Sequence, residues 1–385
     1  MEFLRVKLCI VCLSCLWAGS ETACKRSPET PQSLWARRGS ETLRLSQQAQ
    51  EQLGRELAIQ ARERAWLYER LIEARHLESG MVVERAHDGR ALSQCDSLLF
   101  SSLRFVALKK LGWQDRADKA WHAIERSYQG GRWIRHPQCA FKTTSRDMII
   151  GLLSALVLKP PGYQSQLVKL LDIIEATDGS VDPGPFYVSR LSPGIAEILR
   201  LLSLEAGLAP ETLPAEVRVG FSTLEWDSWW GSPGYTSHLN AMALWLEREL
   251  WHQRYAFRSL GAPWREGRAQ PQDAERMRQR FAVLSQALVK VDPENLFFQY
   301  LAAVSAQGRL TAAARLELLQ KLLAMPQFPA QTLPRNCDRG ADYLWQRSSL
   351  EYRAVSSLCT EEFTGVDFLW MVALLTDESS EDGFK

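Results

Sequence analysis

The sequence predicts an all-α protein, on three observations: strand signals are scarce, helical periodicity runs through most of the chain, and six segments are apolar on nearly every side. Alternating Val, Ile and Thr runs bounded by turn dipeptides are hard to find in the 385 residues. A hydrophobic fraction of 46% with 24% charged residues suits a folded domain, and the length allows one large domain or two ordinary ones. The formal net charge is +1, so no overall field points to nucleic acid or to an anionic membrane surface.

In chain order, residues 1–23 read as an export leader. Arg5 and Lys7 precede an apolar run from Leu8 to Ala18, long enough for a signal-peptide core and too short to span a bilayer. "AGS" (Ala18–Ser20) offers small residues for cleavage. Thr22-Ala23-Cys24 resembles the end of a bacterial lipobox, although Glu21 stands where that motif wants an aliphatic residue. The expectation is an exported protein, periplasmic or at the outer envelope, with lipid on Cys24 as a possible membrane anchor. Residues 24–39 form a linker and 40–375 the folded domain. The acidic "TDESSEDGFK" (376–385) reads as an unpacked tail.

Within the domain, residues 40–78 are polar and helical, with Leu53, Leu57, Leu67 and Leu71 as the apolar stripe and Ser40 as the start. The six apolar segments follow: "DSLLFSSLRFVAL" from Asp96, "DMIIGLLSALVL" from Asp147, "PGIAEILRLLSL" from Pro193, "HLNAMALWL" from His238, "LFFQYLAAVSA" from Leu296 and "DFLWMVALL" from Asp367. A helix of that kind must be buried on most faces. Amphipathic helices alternate with them, beginning at Trp113, Tyr163, Ala274 and Leu310; the partner due near 210–226 is poorly formed. This alternation resembles the (α/α)6 toroid, the helical-hairpin barrel of many glycosidases and polysaccharide lyases. The resemblance covers most of 40–375, is architectural, and transfers no functional residue. An irregular bundle or α-solenoid is the competing arrangement; tetratricopeptide arrays repeat at about 34 residues, which the spacing here does not follow.

The toroid implies parallel inner helices whose N-termini open at one end, where unpaired N–H groups and helix dipoles favour carboxylates or anionic ligands. The loops leading to that end are aromatic and charged. They hold Trp133, Tyr187, Trp229 and Trp230 with Arg135, His136 and Arg146, a mixture that suits the apolar faces and hydroxylic edges of a glycan. The same aromatics could instead cover the ends of the scaffold as packing. Asp96 and Asp147, 51 residues apart, each begin an apolar helix and are the first candidates for a glycosidase acid/base pair. Helix capping alone would also explain them. Asp88, in a His-Asp-Gly loop, is a third. Tyr235 and His238 supply the residue types of a polysaccharide lyase, with Arg146 and His136 to neutralise a uronate carboxylate.

Of eight cysteines three lie in the leader, leaving Cys24, Cys95, Cys139, Cys337 and Cys359. If Cys24 carries lipid, the other four allow two disulfides, the preferred pairs being Cys95–Cys139 and Cys337–Cys359; free buried thiols are the alternative. No cysteine or histidine spacing matches a structural zinc site. The chain has no GxxxxGK[ST], HExxH or GxSxG motif and no GxGxxG after a strand, so no metal and no cofactor is expected. The reading is an exported glycan-active enzyme, a hydrolase first and a lyase second, against a non-catalytic envelope lipoprotein that binds a partner. Nothing in the sequence fixes an oligomeric state.

Overall fold

The computed structural model of the chain describes residues 47–86, 97–138, 142–182, 190–218, 235–258, 271–307, 310–324, 361–362 and 364–377. Twelve helices occur among them, and with 74% of positions helical and 5% in strands the protein is all-α. The chain divides into two units, Met1–Ala49 and Gln50–Lys385; of the first only residues 47–49 are described. No helix among the described residues is long and apolar enough to cross a membrane.

Helix α1 (Gln47–Leu71) ends in a π-turn at Ile72–His76 and the antiparallel pair β1 (Leu77–Glu78) and β2 (Met81–Val82), followed by β3 (Arg85–Ala86). Next come α2 (Ser97–Lys110), α3 (Gln114–Glu125), the hairpin β4 (Tyr128–Gln129) and β5 (Arg132–Trp133), α4 (Arg146–Val157), α5 (Tyr163–Ala176) and α6 (Pro193–Glu205). The weak stretch after 209 yields a 3-10 turn and the single-turn α7 (Ala215–Arg218). The chain continues through α8 (Tyr235–Arg258), α9 (Pro271–Val291), α10 (Leu296–Gln307), α11 (Ala312–Ala324), β6 (Glu361–Glu362) and α12 (Val366–Thr376).

The six apolar segments are α2, α4, α6, α8, α10 and α12. Every side chain from Asp147 to Val157 in α4 and from Val366 to Thr376 in α12 is buried. Burying each large aliphatic side chain contributes roughly 1.5–3 kcal/mol, so these sequences can only be interior. Helix α2 lies between α4 and α12; α4 touches α6 and α8, and α8 touches α6 and α10. Trp370 of α12 joins the last pair, meeting Trp245 of α8 edge to face at 5.3 Å and Phe297 of α10 at 4.6 Å. Helices α2 and α4 approach closely: a Cβ on Gly151 would stand 2.6 Å from Leu99 Cα, so only glycine fits there.

Two pairs of these helices are tied at both ends and therefore run in the same direction. Before α4 and α6, the Thr144 N–H donates to Asp182 Oδ2 at 3.2 Å; after them, Lys159 pairs with Glu205 at 2.9 Å. Before α2 and α12, β3 pairs with β6; after them, Lys110 pairs with Asp377 at 2.6 Å. Thr376 and Asp377, assigned to the tail from the sequence, are thus a buried helix end and a buried ion pair. The ion pair escaped the sequence reading because its partner is 267 residues away.

The apolar face of α1 also differs from expectation. Ala61, Ala65, Tyr68 and Ile72 are fully buried, while Leu67 is half exposed. At about 100° per residue, Leu67 sits roughly 130° from the centre of that face, more than a third of a turn. The alanines are small enough to let α1 settle closely on the core, which a search for large residues does not detect.

Candidate functional site

The lead-in to α4 contains the largest described share of the residues singled out from the sequence. Two consecutive glycines with positive φ, Gly130 at 60° and Gly131 at 76°, reverse the chain and form the β4–β5 hairpin. That fold turns Trp133 inward. Its ring is fully buried against Tyr128, centroids 5.4 Å apart, and offers no face to a ligand in solvent. His136 is buried as well: it accepts at Nδ1 from the Gln138 N–H at 3.1 Å and donates from Nε2 to the Glu78 carbonyl at 3.0 Å. With both ring nitrogens on backbone groups, it staples this segment to β1.

The polar centre of the segment is a relay of three side chains. Arg135 Nη2 donates to Ser145 Oγ at 2.9 Å, and the Ser145 hydroxyl donates to Asp147 Oδ1. Ser145 holds the N-cap position of α4, Arg146 is the first helical residue and half-buried, and Asp147 is the second and 7% exposed. An N-cap serine ordinarily accepts from a backbone N–H in the first turn. Here it does not, because the hydroxyl is engaged by a guanidinium and a carboxylate. Next to it Thr144 is buried with its Oγ1 unpartnered, while its backbone N–H is held by Asp182.

Two further buried carboxylates were not chosen from the sequence. Asp182 lies before α6 and was passed over inside a Gly/Pro-rich stretch. Asp367 is the second residue of α12, the same register that Asp147 has in α4, and its Oδ1 accepts from the Phe368 N–H at 3.0 Å. That shared Asp-plus-apolar start was the signal that could have found it. α4 and α12 flank α2 on its two sides. His238 is buried in the first turn of α8, which Tyr235 begins. Asp88, Asp96, Tyr187, Trp229, Trp230, Cys24, Cys95, Cys139, Cys337 and Cys359 lie outside the described residues.

Titratable groups are also buried elsewhere. Glu247 of α8 accepts from Arg280 Nη1 at 2.7 Å and is 1% exposed; burial, reinforced by Glu197 and opposed by Arg280 and Arg200, pushes its pKa up to about 7. At the C-terminal ends of α2 and α12, burial works against the charge on Lys110. Glu249 at 3.6 Å and Asp377 at 2.6 Å outweigh it, and its pKa lies above the usual lysine range. Burial, with Glu249 beside it, pushes the neighbouring Tyr300 to about 12. Among the described residues no group of three His, Cys, Asp or Glu could hold a metal ion. No family model and no curated protein matches the chain.

Proposed function

We propose that the chain is an exported glycan-active enzyme on an (α/α)6 toroid, a glycoside hydrolase in which Asp147 is one of the two working carboxylates. The observation that carries this reading is the Arg135–Ser145–Asp147 relay, which gives a carboxylate at a helix start two polar neighbours that capping does not require. A hydrolase needs one carboxyl to protonate the leaving oxygen and one to activate water or attack carbon. Asp147 would be the member that activates water or attacks carbon, held in one orientation by the relay. Asp96, one residue before α2, is the proposed partner. The parallel run of α4 with α6 and of α2 with α12 supports the toroid, and Arg5, Lys7 and the apolar run after them support export, with Cys24 as lipid anchor.

A non-catalytic envelope lipoprotein is the second reading, favoured by the interior being filled by Trp245, Trp370 and Phe297. The test is a screen of polysaccharides, including peptidoglycan and uronate polymers, for new reducing ends and for unsaturated uronate products. Reducing ends that vanish in Asp147→Asn support the hydrolase. Unsaturated ends lost on Tyr235→Phe or His238→Ala would replace it with a lyase, and no product from any polymer would favour the binding scaffold.

A further inference from the structure

We propose that the concavity between the middle of α1 and the α2–α3 turn is a second site, which binds one strand of a neutral oligosaccharide. Its volume is 880 Å³, within the range of small-ligand sites. Its walls are Trp66 and Trp113, whose rings meet edge to face with centroids 5.1 Å apart. Trp66 keeps 36% of its surface in solvent. An exposed indole on a helix is ordinarily free to change rotamer. This one is clamped: the Arg116 guanidinium stacks over it at 4.1 Å.

Arg116 is itself fixed. It donates twice to Glu73, at 3.0 and 3.1 Å, and lies 3.6 Å from the fully buried Glu69. Glu69 in turn receives two hydrogen bonds from the buried Arg104. A charge network rooted in the core therefore orients a ring that faces water. Burial of that ring is not what the network achieves. Its product is a preorganised aromatic surface, and preorganisation lowers the ordering cost of binding.

The rim selects the ligand. Glu63 and Asp115 are exposed carboxylates with Arg62 beside them, Arg116 is already paired with Glu73, and Gln114 adds an amide. Such a rim has no excess positive charge to attract a phosphate or uronate, and it offers both donors and acceptors to hydroxyl groups. A pyranose meets these demands, with C–H groups for the solvent-facing part of the indole that Arg116 leaves uncovered and hydroxyls for the rim. The concavity adjoins the C-terminal end of α2, whereas the lead-in to α4 meets β1, ahead of α2. The site does not depend on the reading of Asp147.

The experiment is calorimetric titration of the full chain with cellohexaose, chitohexaose and maltoheptaose, with decaproline and hexagalacturonate as the contrasting probes. At least one neutral oligosaccharide binds the wild type, Trp66→Ala weakens it about tenfold or more, equivalent to roughly 1.4 kcal/mol, and the surface change Asp115→Asn weakens it several-fold. Ile59→Ala, exposed on the same helix outside the concavity, leaves affinity unchanged. Absence of binding by all three neutral probes, or equal affinity in wild type, Trp66→Ala and Asp115→Asn, overturns the proposal. Trp66-dependent binding of decaproline or hexagalacturonate without the neutral sugars overturns it too, and assigns the site to a peptide or an acidic glycan.

Discussion

Replacing Glu247 with glutamine should change how stability depends on pH. Glu247 is fully buried in α8, with one oxygen on Arg280 and the Glu197–Arg200 pair of α6 beside it. Its carboxyl titrates near 7 in the folded chain, against the ordinary 4.5. The folded state therefore holds the proton more tightly than the unfolded one, and the corresponding stability is fully present below about 4.5 and lost as pH rises through about 7. At about 1.4 kcal/mol per pH unit the whole effect is roughly 3 kcal/mol, most of it between pH 5 and 8. A unit of roughly 330 residues gains unfolding entropy of about 2.1 cal/mol/K per residue, so the loss corresponds to about 4 °C in Tm. Glutamine cannot ionise and still accepts from Arg280. Thermal unfolding of wild type and Glu247→Gln at pH 5, 6, 7 and 8 should show the wild-type Tm falling relative to the variant by about 4 °C across the series. A difference that stays constant, or that moves the other way, would refute the placement of a protonatable Glu247 in the core.

Gly151→Ala should cost about 2 kcal/mol or more in urea unfolding, because the added methyl meets Leu99 backbone at 2.6 Å and α2 and α4 cannot separate without disturbing the core; an unchanged midpoint would mean that the two helices are further apart. Lys110→Met removes the ammonium that Asp377 and Glu249 share, Glu249 keeping Arg248 at 3.2 Å, so it should cost about 1–3 kcal/mol, read as a fall in Tm, while adding Asp377→Asn should recover part of the loss. Cys95→Ser and Cys139→Ser should each slow migration on a non-reducing gel, since a disulfide between them would close a loop and compact the denatured chain; mobility identical with and without reductant would leave both as thiols.

Helix content and the rank of each helix in the core were legible because an apolar surface all the way round a helix has only one stable location. The starts of α6 and α10 coincide with their predicted positions, at Pro193 and Leu296, and Pro at the first helical position is one reason. What was illegible depended on partners remote in sequence. Trp133 and His136 looked like a binding loop because they stand among basic residues; a glycine-built hairpin and the Glu78 carbonyl, 58 residues away, put both in the interior. The α1 stripe was misread because two of its four fully buried contact residues are alanines, whose value lies in close approach rather than in size. Glu247 gave no sign at all, since a glutamate among "LWLEREL" reads as the wet side of an amphipathic helix until α6 and α9 are seen to cover it.

Acidic residues at the starts of buried helices and a lysine at their ends follow from the helix dipole alone. Asp147 and Asp367 lie at N-terminal ends, and Lys110 lies at the C-terminal ends of α2 and α12. Position therefore does not single out a functional carboxylate. Asp367 accepts from the adjacent Phe368 N–H, among its other contacts. Asp147 is in the same register, but the hydroxyl that should cap α4 is turned toward it and is backed by Arg135. A cap bond from Ser145 would contribute about 1 kcal/mol and a hydrogen bond to a charged group about 1.5–3 kcal/mol, so stability alone accounts for the diverted hydroxyl as well. Its distinctive product is a carboxylate held in one orientation. Ser145→Ala separates the two accounts, because it should lower glycan turnover through Asp147 far more than it lowers Tm, whereas a purely structural Asp147 would give a loss in Tm with no turnover to lose.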